Sequence, residues 1–197
     1  MRRFLLVSSL LVCLICMAAG CAYTAHVRGI VSPEPHAGVS GEALICVAVD
    51  PDVAEIESSA EITRKLESLL SRQGYRPSSS SEAEYFLFFD FGIKPLITRA
   101  GLKPLGGVRS GIKTYEKEGP FDLTISLRLI EASSYHDKGL DDFVWAGGAI
   151  ISSVPTESSK FTDLLLVTAM KYFPTDTGEV RKTKIGLYDF RARRLRE

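Results

Sequence analysis

The chain has 197 residues, with 24 basic and 24 acidic side chains, and 45% of its residues are apolar. These ordinary globular values exclude general disorder. The balanced charge points to no partner on its own, and the length suits one domain with its own core.

The chain begins with Arg2 and Arg3, followed by a mostly apolar stretch over residues 4–17 and then Ala18-Ala19-Gly20-Cys21. A short cationic start, an apolar run and small residues before a cleavage point form the layout of a secretory signal. The run is too short for a spanning helix, which needs about 20 apolar residues. Removing residues 1–20 leaves 22 basic and 24 acidic groups. Cys13 and Cys16 leave with the leader, so Cys46 is the one thiol expected beside Cys21. No disulfide can then form within the processed chain. A buried, inert thiol is the expectation for Cys46.

Ala18-Ala19-Gly20-Cys21 resembles the lipobox of bacterial lipoproteins. The resemblance implies cleavage before Cys21, a diacylglycerol thioether on its sulfur and an N-terminal acyl chain. Several acyl chains hold far more firmly than one. Ala22 rather than Asp after the cysteine implies outer-membrane sorting in a Gram-negative host, with the domain facing the periplasm. The competing reading is plain cleavage before an incidental cysteine, which would give a soluble periplasmic protein.

Residues 21–41, with Gly29, Pro33, Pro35, Gly38 and Gly41, read as the lipidated cysteine and a flexible tether. A globular domain is expected over residues 42–174. Residues 42–49 read as a buried strand, and a turn follows at Asp50-Pro51-Asp52. Ser58 and Glu61 fit a capping box for a helix whose stripe is Ile62, Leu66, Leu69 and Leu70 and whose stop is Gly74. Tyr75 and Arg76 begin a short extended piece. Residues 84–91 form an aromatic strand with apolar residues on both faces, suited to a centre covered on both sides. A long Gly- and Pro-containing connection follows over residues 92–120. Residues 121–131 alternate cleanly, and Phe143, Trp145, Gly147, Ala149 and Ile151 make a matching return strand. The two strands are joined by a turn through Asp137-Lys138-Gly139. A second helix runs over residues 159–173 and stops at Pro174, and residues 175–197 read as a basic tail. The expected fold is a single α+β domain, ordered β-α-β-β-β-α, with two helices on a mixed or antiparallel sheet.

The helix ending in Leu70, Gly74 and Tyr75, the apolar strand with an aspartate at residues 88–91, and the return strand with Val144, Trp145 and Gly147 resemble a family of bacterial lipoproteins with a domain of unknown function. The likeness spans residues 43–174 and implies fold and location only.

Catalytic patterns are poor. Residues 106–114 superficially resemble a phosphate loop, but Ile112 separates Gly111 from Lys113. His136 stands beside Asp137 without a Gly-x-Ser-x-Gly elbow, and the chain has no Asn. Three scattered histidines and one Cys lack zinc-ligand spacing. Asp90 among Phe88, Phe89 and Phe91 marks either a strand-end cap or a carboxylate of raised pKa. Trp145 reads as core, or as a sugar-stacking platform.

Charge is the most suggestive feature. Residues 92–115 hold no acid but carry Lys94, Arg99, Lys103, Arg109 and Lys113. Residues 176–197 hold seven cations, Arg191, Arg193, Arg194 and Arg196 among them, against four acids. Such segments attract polyanions. In an envelope compartment these are lipid head groups, lipopolysaccharide and wall polymers rather than nucleic acid. The expectation is a membrane-anchored, non-enzymatic binding or scaffold module. It would need no cofactor or metal beyond the lipid on Cys21, and its partner would be an envelope protein or anionic polymer. The alternatives are an envelope-modifying hydrolase around Asp90 and His136, and an accessory subunit of a transport or secretion complex.

Overall fold

The computed structural model describes residues 22–33, 38–52, 59–95, 120–154, 159–186 and 189–195. The elements are β1 (Ala22–Val31), β2 (Leu44–Val49), α1 (Ser59–Arg72), β3 (Arg76–Pro77), β4 (Tyr85–Pro95), β5 (Phe121–Glu131), α2 (Ala132–Lys138), β6 (Trp145–Val154), α3 (Ser159–Ala169), β7 (Arg181–Gly186) and α4 (Phe190–Arg193). Single 3-10 turns follow α2 and α3, at Gly139–Asp141 and Met170–Tyr172.

Alternating side chains on β5 bury Phe121, Leu123, Ile125, Leu127 and Leu129 on one face, as the sequence predicts. Its neighbours β4 and β6 pair with it antiparallel, and seven strands form one sheet in the order β3-β2-β4-β5-β6-β1-β7. Only the contacts of β2 with β3 and β4 are parallel. The architecture is therefore a single α+β domain with a mixed sheet.

The helix α1 lays Ile62, Leu66, Leu69 and Leu70 onto the buried face. Its end is a Schellman arrangement. The amide of Tyr75 donates to Leu70 O at 3.1 Å and that of Gly74 to Ser71 O at 3.1 Å, with Gly74 at φ +96°. That φ favours a residue without Cβ. Leu70 and Tyr75 bury the accompanying apolar contact. The expected capping box has Ser58 outside the described residues, and Glu61 pairs instead with Lys65 on the next turn.

Several expectations change. Residues 22–31 are no tether: they form β1, hydrogen-bonded to β6 on one side and β7 on the other. The basic tail from residue 175 supplies β7 and α4, with Ala192 and Leu195 in the core. The β5–β6 connection is helical at Asp137 and Lys138, where a turn was expected. The strand β4 extends to Pro95, and the rest of the 92–120 connection lies outside the described residues except Gly92 to Pro95 and Pro120. Four helices are present among the described residues where two were expected.

The helix α3 buries most of its length: Phe161, Leu164, Leu165, Leu166, Val167 and Ala169 are all buried, as is Met170 in the turn that follows. It lies on β5, β6 and β1, beside α1, and α4 packs on it. An ion pair joins α1 to α3. Lys65 Nζ lies 2.7 Å from Asp163 Oδ1, with side-chain exposures of 3% and 0%. Burial works against the Lys65 charge, but hydrogen bonds to Asp163 and Glu61 outweigh it and hold its pKa above the ordinary value. The bond from Lys65 lowers the pKa of Glu61.

Removing one partner of such a pair leaves a buried charge. Lys65→Ala should lower unfolding stability by about 3–5 kcal/mol in urea titrations. Lys65→Met with Asp163→Leu should fall close to the parent protein. The Glu61 contribution is present above its ordinary pKa of 4.5 and lost as pH falls through the lowered value. The Lys65 contribution is full below 10.5 and lost only as pH rises through the raised value. Acid titration of Glu61→Gln should therefore show a shallower loss of stability below pH 4.5 than the parent.

Candidate functional site: the second face of the sheet

Period-two alternation sends the remaining strand side chains to the second face of the sheet. One corner of that face is covered. Tyr135 of α2 stacks at 5.4 Å from the Phe86 ring and 5.0 Å from the Phe88 ring. Beneath them Ile130 is fully buried. Among the described residues, the other helices that pack closely on the sheet, α1 and α3, bury their apolar residues against the opposite face.

The rest of this face, free of described helices, is polar and of mixed charge. Register aligns Asp90 with Ser126 and Gly148, and Gly148 with Arg28. The next row aligns Thr124, Ile150, His26 and Lys182. Ile150 is 42% exposed there, although it lies within a central strand. Arg128 reaches towards buried Asp50, with Nη2 3.9 Å from Oδ2. Asp90 lies in the middle of β4, half-buried on this face, rather than at a strand end. It therefore caps no following loop. His136 falls on α2, and its side chain lies outside the described ones. Among the described residues no three His, Cys, Asp or Glu side chains gather as a metal site.

One end of the sheet is marked by another row. Pro95 pairs with Phe121, Phe121 with Val154, and Ala22 with Gly186. Ala25 opposite Ile151 carries the start of β1 to the level of Val154. Cys21 itself lies outside the described residues and directly precedes β1. Of the expected anion-binding cations, Arg99, Lys103, Arg109, Lys113 and Arg196 also lie outside them. The Lys94 backbone pairs with Asp122 near this same end.

The C-terminal arginines do not form a frayed polycation. Asp189 caps α4 through the amide of Arg191, at 2.9 Å, and grips its guanidinium at 3.1 and 2.8 Å. The hydrogen bond from Arg191 holds the Asp189 carboxyl below its usual range. The Arg194 guanidinium carbon lies 5.8 Å from the Phe190 ring centre, while its carbonyl accepts from Arg72 Nη2 at 2.8 Å. This short helix and the turn after it leave the arginines outside and Ala192 and Leu195 inside. The described C-terminal part of the expected anion patch is thus a folded outer layer over α3.

Trp145 is core and no stacking platform. It is 1% exposed, meets Phe173 edge to face at 4.9 Å and donates Nε1–H to Thr175 O at 3.1 Å. Cys46 is half-buried, and burial raises its pKa, with the nearby Glu67 charge adding to the effect. A thiol held protonated in this way is a poor nucleophile.

The strand β1 was the functional element least visible in advance, yet it carries a signal. Tyr23, Ala25 and Val27 alternate with Thr24, His26 and Arg28, the pattern of a half-buried strand. Two substitutions test this account. Leu195→Ala should cost about 2–3 kcal/mol in urea unfolding, whereas a frayed tail would give no change. Gly147→Ala should cost about 1–3 kcal/mol in the same assay, because a Cβ there would meet the Trp145 ring and Arg28 O.

No family model matches the chain, and no curated protein does. Several solved structures are similar to it. A PelC dodecamer from Paraburkholderia phytofirmans is 14% identical over 74% of this chain and 94% of that one, with a TM-score of 0.44. A PDZ domain protein from Parabacteroides distasonis is 11% identical over 86% of this chain and 40% of that one, with a TM-score of 0.49. A DUF4136 family protein from Bacteroides thetaiotaomicron is 12% identical over 74% of this chain and 91% of that one, with a TM-score of 0.40.

Proposed function

We propose that this chain is an envelope lipoprotein, anchored by acyl chains on Cys21, whose α+β domain acts as a non-enzymatic binding or scaffold module. The observation that carries the reading is the leader ending in Ala18-Ala19-Gly20-Cys21. Covalent lipid on Cys21 is the means of attachment that this leader offers.

The binding part of the reading draws on the second face of the sheet. Arg28, Lys182 and Asp90 supply opposite charges around exposed Ile150. A polar, mixed-charge surface with a small apolar centre suits an interface with another envelope protein. The outer membrane, facing the periplasm, is the location that Ala22 favours in a Gram-negative host.

Fractionation tests the anchor. The natural protein should pellet with membranes at the mass of a chain that starts at an acylated Cys21, and Cys21→Ala should move to the soluble fraction. A Cys21→Ala protein that still pellets would reject the anchor. The surface is tested by affinity capture from detergent-solubilised membranes. A defined partner should copurify with the parent chain and be lost with Arg28→Glu and Ile150→Asp, while urea unfolding shows both variants folded. Capture unaffected by either change would rule out this face.

A further inference from the structure

We infer that the outer edge of β7 docks an extended acidic segment of a partner protein, which adds to the sheet as a further strand. This rests on the binding-module reading and names a partner chemistry for it, on the flank that adjoins Arg28 and Ile150. The strand β7 ends the sheet order, and β1 is its one strand neighbour among the described residues. The backbone groups that point away from β1 are therefore a template for another chain. Alternation places Arg181 and buried Ile185 on the helix side of β7, and Lys182 and Lys184 on the second face. Arg181, Lys182 and Lys184 are all exposed, so both sides of this edge reach solvent. Val180, just before the strand, is 52% exposed and offers an apolar contact beside them.

The charge of the edge selects the partner. None of its three cations has an ion-pair partner among the described residues. The Arg181 guanidinium carbon lies 5.9 Å from the Tyr172 ring centre, and Lys171 Nζ lies 5.1 Å from the same centre, which adds a fourth cation on the helix side. In the loop before β7, Asp176 accepts from the Gly178 amide at 2.6 Å, and Glu179 bridges to none of these cations. Across the second face β1 and β6 contribute no acid. Asp122 on β5 is three strands from β7, roughly 14 Å at the usual strand spacing. Pairing with a second copy is disfavoured, because two such edges would set like charges against each other. An acidic strand reverses that penalty. Lys182 and Lys184 stand about 7 Å apart along the strand, the spacing of alternate side chains in any extended peptide. A segment with Asp or Glu at every second position therefore sets one carboxylate beside each lysine while its backbone closes the ladder. An anionic membrane suits the surface less, since the face that carries these lysines also presents Asp90 and Asp122.

The probe is a short fluorescent peptide in which Glu alternates with Thr, titrated with the detergent-purified full chain at low salt and read by anisotropy. It should bind, and the same peptide with Lys in place of Glu should not. Lys182→Glu with Lys184→Glu, shown to be folded by urea unfolding, should weaken the Glu peptide by about tenfold, as two surface pairs turn repulsive. The same variant should take up the Lys peptide instead. Backbone N-methylation separates a paired strand from loose charge attraction. Successive N–H groups of a strand point to opposite sides, so methylating one alternate set should abolish binding and methylating the other should leave it intact. Equal binding of the two methylated peptides, or no binding of the Glu peptide, would overturn the docked strand. Vesicles of phosphatidylcholine with and without phosphatidylglycerol decide between partner and membrane. If the Cys21→Ala protein sediments with the anionic vesicles through Lys182 and Lys184 but ignores the peptide, the edge is a lipid contact and the proposal falls. The broader reading fails separately, in the capture assay that scores Arg28→Glu and Ile150→Asp.

Discussion

The fold depends on β1 being held from both sides. Residues 25–31 pair with β6, and residues 22–27 pair with β7. Without β1 the strand β6 becomes an edge and β7 has no partner in the sheet. The chain beyond β7 is then unplaced, and with it Ala192 and Leu195, which lie in the core. A segment of ten residues thus controls one flank of the sheet and the outer cover of a helix.

The helix layer shows the same economy. Most globular helices keep one polar face, but α3 is buried from Asp163 to its end because the sheet, α1 and α4 enclose it. Its one acid, Asp163, is fully buried and lies beside Lys65. A buried ion pair adds little net stability over an apolar pair of equal volume. Its effect is selective, since sliding α1 along α3 by one turn would separate Lys65 from Asp163.

Much of this was legible in the sequence. The alternation from Phe121 to Glu131, the Ile62–Leu66–Leu69–Leu70 stripe with its Gly74 stop, and the helix from Ser159 gave elements and burial close to those observed. The flanks were harder for physical reasons. Gly29 in β1 reads as a turn residue, yet it sits there because Thr175 O and the Trp145 indole approach its backbone, and they come from distant parts of the chain. In β7 only Ile185 is buried, so Arg181, Lys182 and Lys184 conceal a strand whose stability comes from pairing rather than from apolar residues. The cations near the C-terminus suggested loose charge because Asp189, their organiser, is local, while the groups that bury Ala192 and Leu195 lie on α3. The candidate surface was the least legible part. Asp90 was singled out as unusual, but its surroundings on the second face are set by register across β5, β6 and β1.

The pairing of β1 also orders events in time. A chain that emerges N-terminus first, from a ribosome or a translocation pore, releases β1 before either of its neighbours exists. β6 follows more than a hundred residues later and β7 later still. Contacts so distant along the chain close slowly. Residues 44–95 can form their local β-α-β unit early, whereas the first strand must wait, unpaired, until almost the whole polypeptide has been delivered. The sheet is therefore completed last on the flank where strands from opposite parts of the chain meet, after residues 44–95 have been free to fold.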